Sequence, residues 1–356
     1  MKLFTVGPVE MHDSTKAIGA LQNKYFRTND FSELMLETGD MLKKALFAPP
    51  NYHTIFLTCS GTGAMDAAIA NCFTQNDHLL IVNGGTFGKY FVDICKYKNI
   101  PYDEIVLDFG EILTKNLLES HIHSDTTALL ITIHETSTGQ LYDIQMASDF
   151  CKAHNLYLIV DAISSAFADE YDITRHNIDV TIISTHKALA LPPGIAMVLL
   201  SNKLYNERVQ DNAVESMYFD FKLYVKNFER GQPPFSPAIG ILYQLHDMLK
   251  RISSEGIENQ IAKTRNLAQH FRECMKGSKI GIPSYPLSNA LTPLMLNGIS
   301  ARTVYERLRD EYGFYINPNG YLADKVCRVG HLGNLQKSDL TLLALALDEI
   351  MKDVCK

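Results

Sequence analysis

The chain has 356 residues, 46% of them hydrophobic and 21% charged, with a formal charge of −7. That is ordinary for a globular protein with one large or two unequal domains, and the acidic balance excludes a general nucleic-acid or membrane-surface binder. Seven scattered cysteines without a C-x-x-C pair exclude a disulfide frame or zinc site. The opening MKLFTVGPVE lacks a signal-peptide core, and no apolar stretch reaches the roughly 18 residues of a membrane span. A cytoplasmic location and no metal are expected.

From residue 53 the pattern alternates. Apolar runs at 54–59, 78–82, 127–133, 156–160, 180–184 and 195–200 read as strands. Helical patterns lie between most of them, at 63–73, 87–99 and 144–155. Strands apolar on both faces that alternate with helices predict an α/β fold around a mostly parallel sheet. After residue 200 a long helical stretch is expected over 238–276, then an α+β segment with helices near 300–312 and 337–353. The expected division is a large domain over 16–250 and a smaller C-terminal domain over 251–356. Residues 1–15 join the small domain or a dimer interface.

Ligands of open α/β sheets sit beyond the carboxyl ends of the strands. There this sequence places SGTGAMD (60–66), NGGTFG (83–88), HETSTG (134–139), DAISSAF (161–167) and THK (185–187). For any one of these, plain turn chemistry is the blander reading. Five together, with His, Asp and Lys among them, point to a site. The Gly-rich turn at 60–63 feeds a helix and suits a phosphate. It reads G-x-G-x-x-D, and the ribose-binding acid of a dinucleotide fold is missing where Asn83 and Gly84 stand. That weakens a dehydrogenase reading. Asp161 at a strand tip either caps the next turn or pairs with a cationic ring nitrogen. Lys187, on a non-helical turn one strand later, is a candidate Schiff-base amine, because desolvation frees its lone pair. Phosphate cradle, strand-end Asp and strand-following Lys are the requirements of pyridoxal phosphate, and Phe87 is placed to stack on its ring.

Six blocks in order carry a resemblance. FTVGPVEM (4–11), KYFRTNDFSEL (24–34), SGTGAMDAAIAN (60–71), HETSTGQLYDI (134–144), VDAISSAFADEYDI (160–173) with STHKALALPPG (184–194), and KVCRVGHLG (325–333) resemble the class V aminotransferases of fold type I. The branch is that of alanine–glyoxylate, serine–pyruvate and 2-aminoethylphosphonate–pyruvate aminotransferases. The resemblance implies a large domain with a seven-stranded, mostly parallel sheet and a smaller C-terminal α+β domain. It also implies pyridoxal 5′-phosphate as cofactor, a homodimer, and amino transfer from a small donor to pyruvate or glyoxylate.

Residue by residue, it implies that Lys187 forms the Schiff base and shuttles the proton, while Asp161 pairs with the ring nitrogen. Phe87 would stack on the ring and Ser137 would bond near its phenolic oxygen. Thr62, Gly63, Ala64 and His186 would hold the phosphate. Arg328 would pair with the substrate carboxylate, with Gly7 also at the substrate. Three departures stand out. Gln232 in RGQPPF replaces the usual Thr whose side chain reaches the partner's phosphate, Phe26 replaces a His, and His186 replaces a common Gln. Arg27 is either a surface or interface ion pair or a second cation for a distal acidic group of the substrate. A cysteine desulfurase or another lyase of the same fold is the alternative, with Cys327 its positional candidate. A non-enzymatic scaffold is disfavoured, because Lys187, Asp161 and Arg328 are all present.

Overall fold

The six apolar runs become strands of one seven-stranded sheet: β1 (His53–Leu57), β2 (His78–Asn83), β3 (Tyr102–Val106), β4 (Thr126–Thr132), β5 (Tyr157–Asp161), β6 (Val180–Ser184) and β7 (Ala196–Leu200). These come from a computed structural model that describes residues 1–318 and 323–354; Cys355 lies outside the described residues. The strand order is β1-β7-β6-β5-β4-β2-β3. All neighbours run parallel except β7, which is antiparallel to both β1 and β6. The strand absent from the apolar-run reading is β3. It is an edge strand, YDEIV, in which Ile105 alone is buried and Val106 is exposed, and its Asp103 and Glu104 interrupt any continuous apolar run.

Side chains alternate between two cores, one on each face of the sheet. Leu129 and Ile131 of β4 point into one, and Ala128 and Leu130 into the other. Helices α1 (Asn29–Ala45), α4 (Ile144–His154) and α5 (Ile239–Glu255) cover the first face. Helices α2 (Gly61–Cys72) and α3 (Thr86–Lys98) cover the second. The stretch expected to be one helix over 238–276 is two. Gly256, at φ +89°, ends α5, and α6 (Ile257–Cys274) restarts at once. Glycine alone adopts that backbone without strain.

A third core joins Phe271 of α6 to Leu294, Val304, Val329, Leu343 and Leu347. Above it lies a small sheet of Leu291–Met295, Val326–Gly330 and Asn317–Pro318. The N-terminal pair Lys2–Leu3 runs parallel to Phe314–Tyr315, and Phe4 is fully buried in this third core. Among the described residues no helix is long and apolar enough to cross a membrane. The carboxyl ends of the parallel strands therefore deliver residues 60–63, 83–88, 134–139, 161–164 and 185–187 to one edge, facing the N-terminal segment.

Candidate active site

Ser60 caps α2. Its side chain accepts from Gly63 N and its carbonyl from Ala64 N, both at 3.2 Å. Gly61 and Thr62 hold the first-turn amides with no intrahelical acceptor, at the positive end of the helix dipole. A Cβ on Gly61 would collide with the Ile163 side chain. That close approach draws the cradle against the end of β5, where Asp161 sits. Its Oδ1 accepts from Ile163 N at 2.9 Å and its Oδ2 from Thr132 Oγ1 at 3.2 Å. Burial pushes its carboxyl up to about 6, although these hydrogen bonds and Lys187 pull the other way.

Lys187 follows β6 on a turn held by Thr185 Oγ1, which donates to Pro192 O at 2.7 Å, and by Ala190 N, which donates to Lys187 O at 2.9 Å. Burial and the nearby Arg328 guanidinium push the Lys187 amine down to about 8, against the pull of Asp161. Lys187 and Asp161 thus sense each other's charge without an ion pair. His186 Nδ1 lies 2.8 Å from Ser184 Oγ. Burial and Lys187 push His186 down to about 4, so it is neutral at pH 7. The N-terminal segment closes over this turn: a Cβ on Gly7 would stand 2.8 Å from Lys187 Cδ and 2.9 Å from His186 Cδ2.

A carboxylate that the sequence reading did not single out organises the rest. Glu135 stands in the short hairpin 134–135/140–141 that follows β4. Its Oε2 accepts from Phe87 N at 3.0 Å and Gly88 N at 2.9 Å. Its Oε1 accepts from Ser137 N at 3.0 Å and Ser137 Oγ at 2.6 Å. Ser137 Oγ in turn accepts from Thr86 N at 3.1 Å. Phe87 and Ser137 are therefore brought together through one buried side chain. Next to it, Arg328 Nη1 donates to Thr136 O at 2.8 Å. Burial lowers the guanidinium pKa while Glu135 opposes that shift. His134, also buried, is held neutral, pushed down to about 3 by burial and Lys187.

Arg27 and Gln232 form a separate cluster. Arg27 Nη1 donates to Gln232 Oε1 at 3.1 Å and to Pro233 O at 2.8 Å, and its guanidinium lies 4.6 Å from the Phe26 ring centroid. The Gln232 amide donates inward to Ser32 Oγ at 2.6 Å and Phe26 O at 3.2 Å. These are the contacts that the Gln232 amide, expected at a neighbour's phosphate in place of a threonine hydroxyl, makes within its own chain. Among the described residues no hydrogen bond or ion pair joins Arg27 or Gln232 to Lys187 or Asp161. Beside the cradle a surface cleft of ≈ 990 Å³ is lined by Ser60, Thr62, Gly63, Asp66 and residues 212–216, among others, but by neither Lys187 nor Asp161.

This sheet, with a half-buried lysine after β6 and a buried aspartate at the tip of β5, is the architecture of the fold type I enzymes that use pyridoxal phosphate. The chain belongs to the class-V aminotransferases: the family "Aminotransferase class-V" matches residues 10–313. It is a pyridoxal-phosphate-dependent transaminase. Its sequence is similar to an uncharacterized aminotransferase of Methanocaldococcus jannaschii, 29% identical over 91% of this chain and 86% of that protein. It is also similar to a serine–glyoxylate aminotransferase of Arabidopsis thaliana, 27% identical over 99% and 90%. The fold superposes on an alanine–glyoxylate aminotransferase from Nostoc sp. with a TM-score of 0.91 and 26% identity, covering 98% of this chain and 94% of that one.

Proposed function

We propose that this enzyme moves an amino group from a small donor (alanine, serine or 2-aminoethylphosphonate) to pyruvate or glyoxylate, with Lys187 as the essential amine. The observation that carries the reading is the placement of Lys187 on the turn after β6, with the Gly7 segment packed on its stem, where burial and Arg328 push its amine down to about 8 against the pull of Asp161. An amine so tuned is partly neutral at physiological pH, so it can attack a carbonyl and carry a proton.

The residues present fit pyridoxal phosphate. The first-turn amides of Gly61 and Thr62 suit the phosphate, with Gly61 packed too closely on Ile163 to carry a Cβ. His186 and Thr62 stand ready as side-chain donors, with the Ala64 and Gly63 amides in the same turn. The buried Asp161 carboxylate suits a protonated ring nitrogen, which would keep it ionised. Phe87 suits the ring face. The cofactor, when bound, supplies an electron-withdrawing ring that stabilises negative charge at the substrate carbon. Lys187 Nζ would take up the proton that leaves the substrate carbon and hold it for return, and the Gly7 segment packed on its stem limits where it swings. Ser137 orients the ring's oxygen substituent. Arg328, braced by Thr136 O, supplies the counter-charge of the substrate carboxylate. Cys327 is fully buried in its strand with its thiol pushed up to about 12, which disfavours the desulfurase alternative, since that reaction needs a mobile thiolate.

We further read the chain as a cytoplasmic homodimer with domains 16–250 and 251–356, and with residues 1–15 joining the second or the dimer interface. The helix break at Gly256 and the third core support the division. Exposed Leu21, Tyr25 and Met217 support a second copy. The test of the reaction is a panel of the three donors against pyruvate and glyoxylate. Transfer with ping-pong kinetics is expected. Sulfur release from cysteine with no keto-acid product would reject transamination.

A further inference from the structure

We infer that Glu135 is a positioning residue that couples the two halves of the active site, setting the ring-facing Phe87 and Ser137 with its oxygens and opposing Arg328 with its charge. The inference rests on the function proposed above.

Helix α3 begins at Thr86 behind a glycine cap, Gly85, which has no side chain to receive the first-turn amides. Those amides are served instead from another element: Thr86 N by Ser137 Oγ, and Phe87 N and Gly88 N by Glu135 Oε2. Because Ser137 Oγ accepts from Thr86 N, its own hydrogen goes to Glu135 Oε1 at 2.6 Å. Burial pushes the Glu135 carboxyl up, but all four groups on it are donors that pull it back down, an arrangement that suits an acceptor-only, ionised carboxylate. The positive helix end favours that charge. The fit is tight, since a Cβ on Gly85 would meet Glu135 Cδ at 2.7 Å and collide with Ser137 Oγ. Phe87 and Ser137 therefore cannot move independently. One residue further, Thr136 O takes Arg328 Nη1, so the carboxylate that orders the cofactor side also faces the cation of the substrate side.

Glu135→Gln keeps the shape but turns an amide NH₂ toward donors, so at least one pair of hydrogen bonds to a charged group is lost. The expected result is a loss of about tenfold or more in cofactor affinity and in kcat. KM for alanine should not rise, because Arg328 loses an opposing charge and not its grip. A general loss of structure would instead raise KM as kcat falls. The double variant Glu135→Gln/Ser137→Ala should lose less cofactor affinity than the sum of the two single losses. If Glu135→Gln does not fold, Gly85→Ala, which wedges the same pair apart, should show the same split of kcat from KM. Wild-type cofactor affinity in the folded variants, KM rising in step with the loss of kcat, or additive losses in the double variant would each overturn the coupling. Inactivity of the wild-type enzyme toward every donor would instead count against the proposed reaction.

Discussion

Lys187 and Arg328 share one electrostatic problem, two cations facing a single site, and each variant should report on the other. Removing Arg328 removes a cation that holds the Lys187 amine down. In Arg328→Ala, the pH at which cofactor association with the apoenzyme becomes fast should therefore move up from about 8. An unmoved midpoint would mean that burial alone sets the amine. The same variant should weaken every carboxylate substrate by about 3 kcal/mol, the scale of breaking a buried charge pair, which substrate titrations measure. Lys187 also makes stability depend on pH. Its amine is at about 8 in the fold against 10.5 free of it. Between those values the unfolded chain holds a proton that the folded chain has released, so stability climbs as pH rises across that window. The melting temperature of cofactor-free wild type relative to Lys187→Met should climb with pH from about 8 to 10.5. A constant difference would contradict the depressed amine.

The loop at 231–235 is where element and sequence disagree most. Gly231 has φ +67°, and a Cβ there would run into the Ser32 backbone carbonyl. Gly231→Ala should cost roughly 1–3 kcal/mol of stability, read by chemical denaturation, as a strained left-handed residue does. Arg27, weighed in the sequence as a selector of a second anion, gives its donors to the oxygens of this loop. Arg27→Ala should consequently change alanine and 2-aminoethylphosphonate kinetics alike; a loss confined to the phosphonate donor would restore the selector role. Such contacts leave no local trace in a sequence. Glu135 was missed for the same reason, since two of its donors are backbone amides 48 and 47 positions away. By contrast β6 and β7, buried at every residue, were legible because both faces must be apolar. Asp161 and Lys187 were legible because each ends or follows such a run. The edge strand β3 was not, since only Ile105 of its five side chains is buried.

The whole molecule is a sheet whose strand ends gather chemistry from residues as distant as Gly7 and Arg328, with the N-terminal segment closing over Lys187. As a homodimer it should have two-fold symmetry and an isologous interface. Sedimentation that finds a fully active monomer would reject that assembly. Everything else depends on one amine. Borohydride reduction of the cofactor-loaded protein, followed by proteolysis and mass spectrometry, tests it directly. The account predicts a pyridoxyl phosphate group fixed on the peptide carrying Lys187 and on no other lysine. A label on a different lysine, or a protein that binds the cofactor tightly yet takes no label, would contradict it.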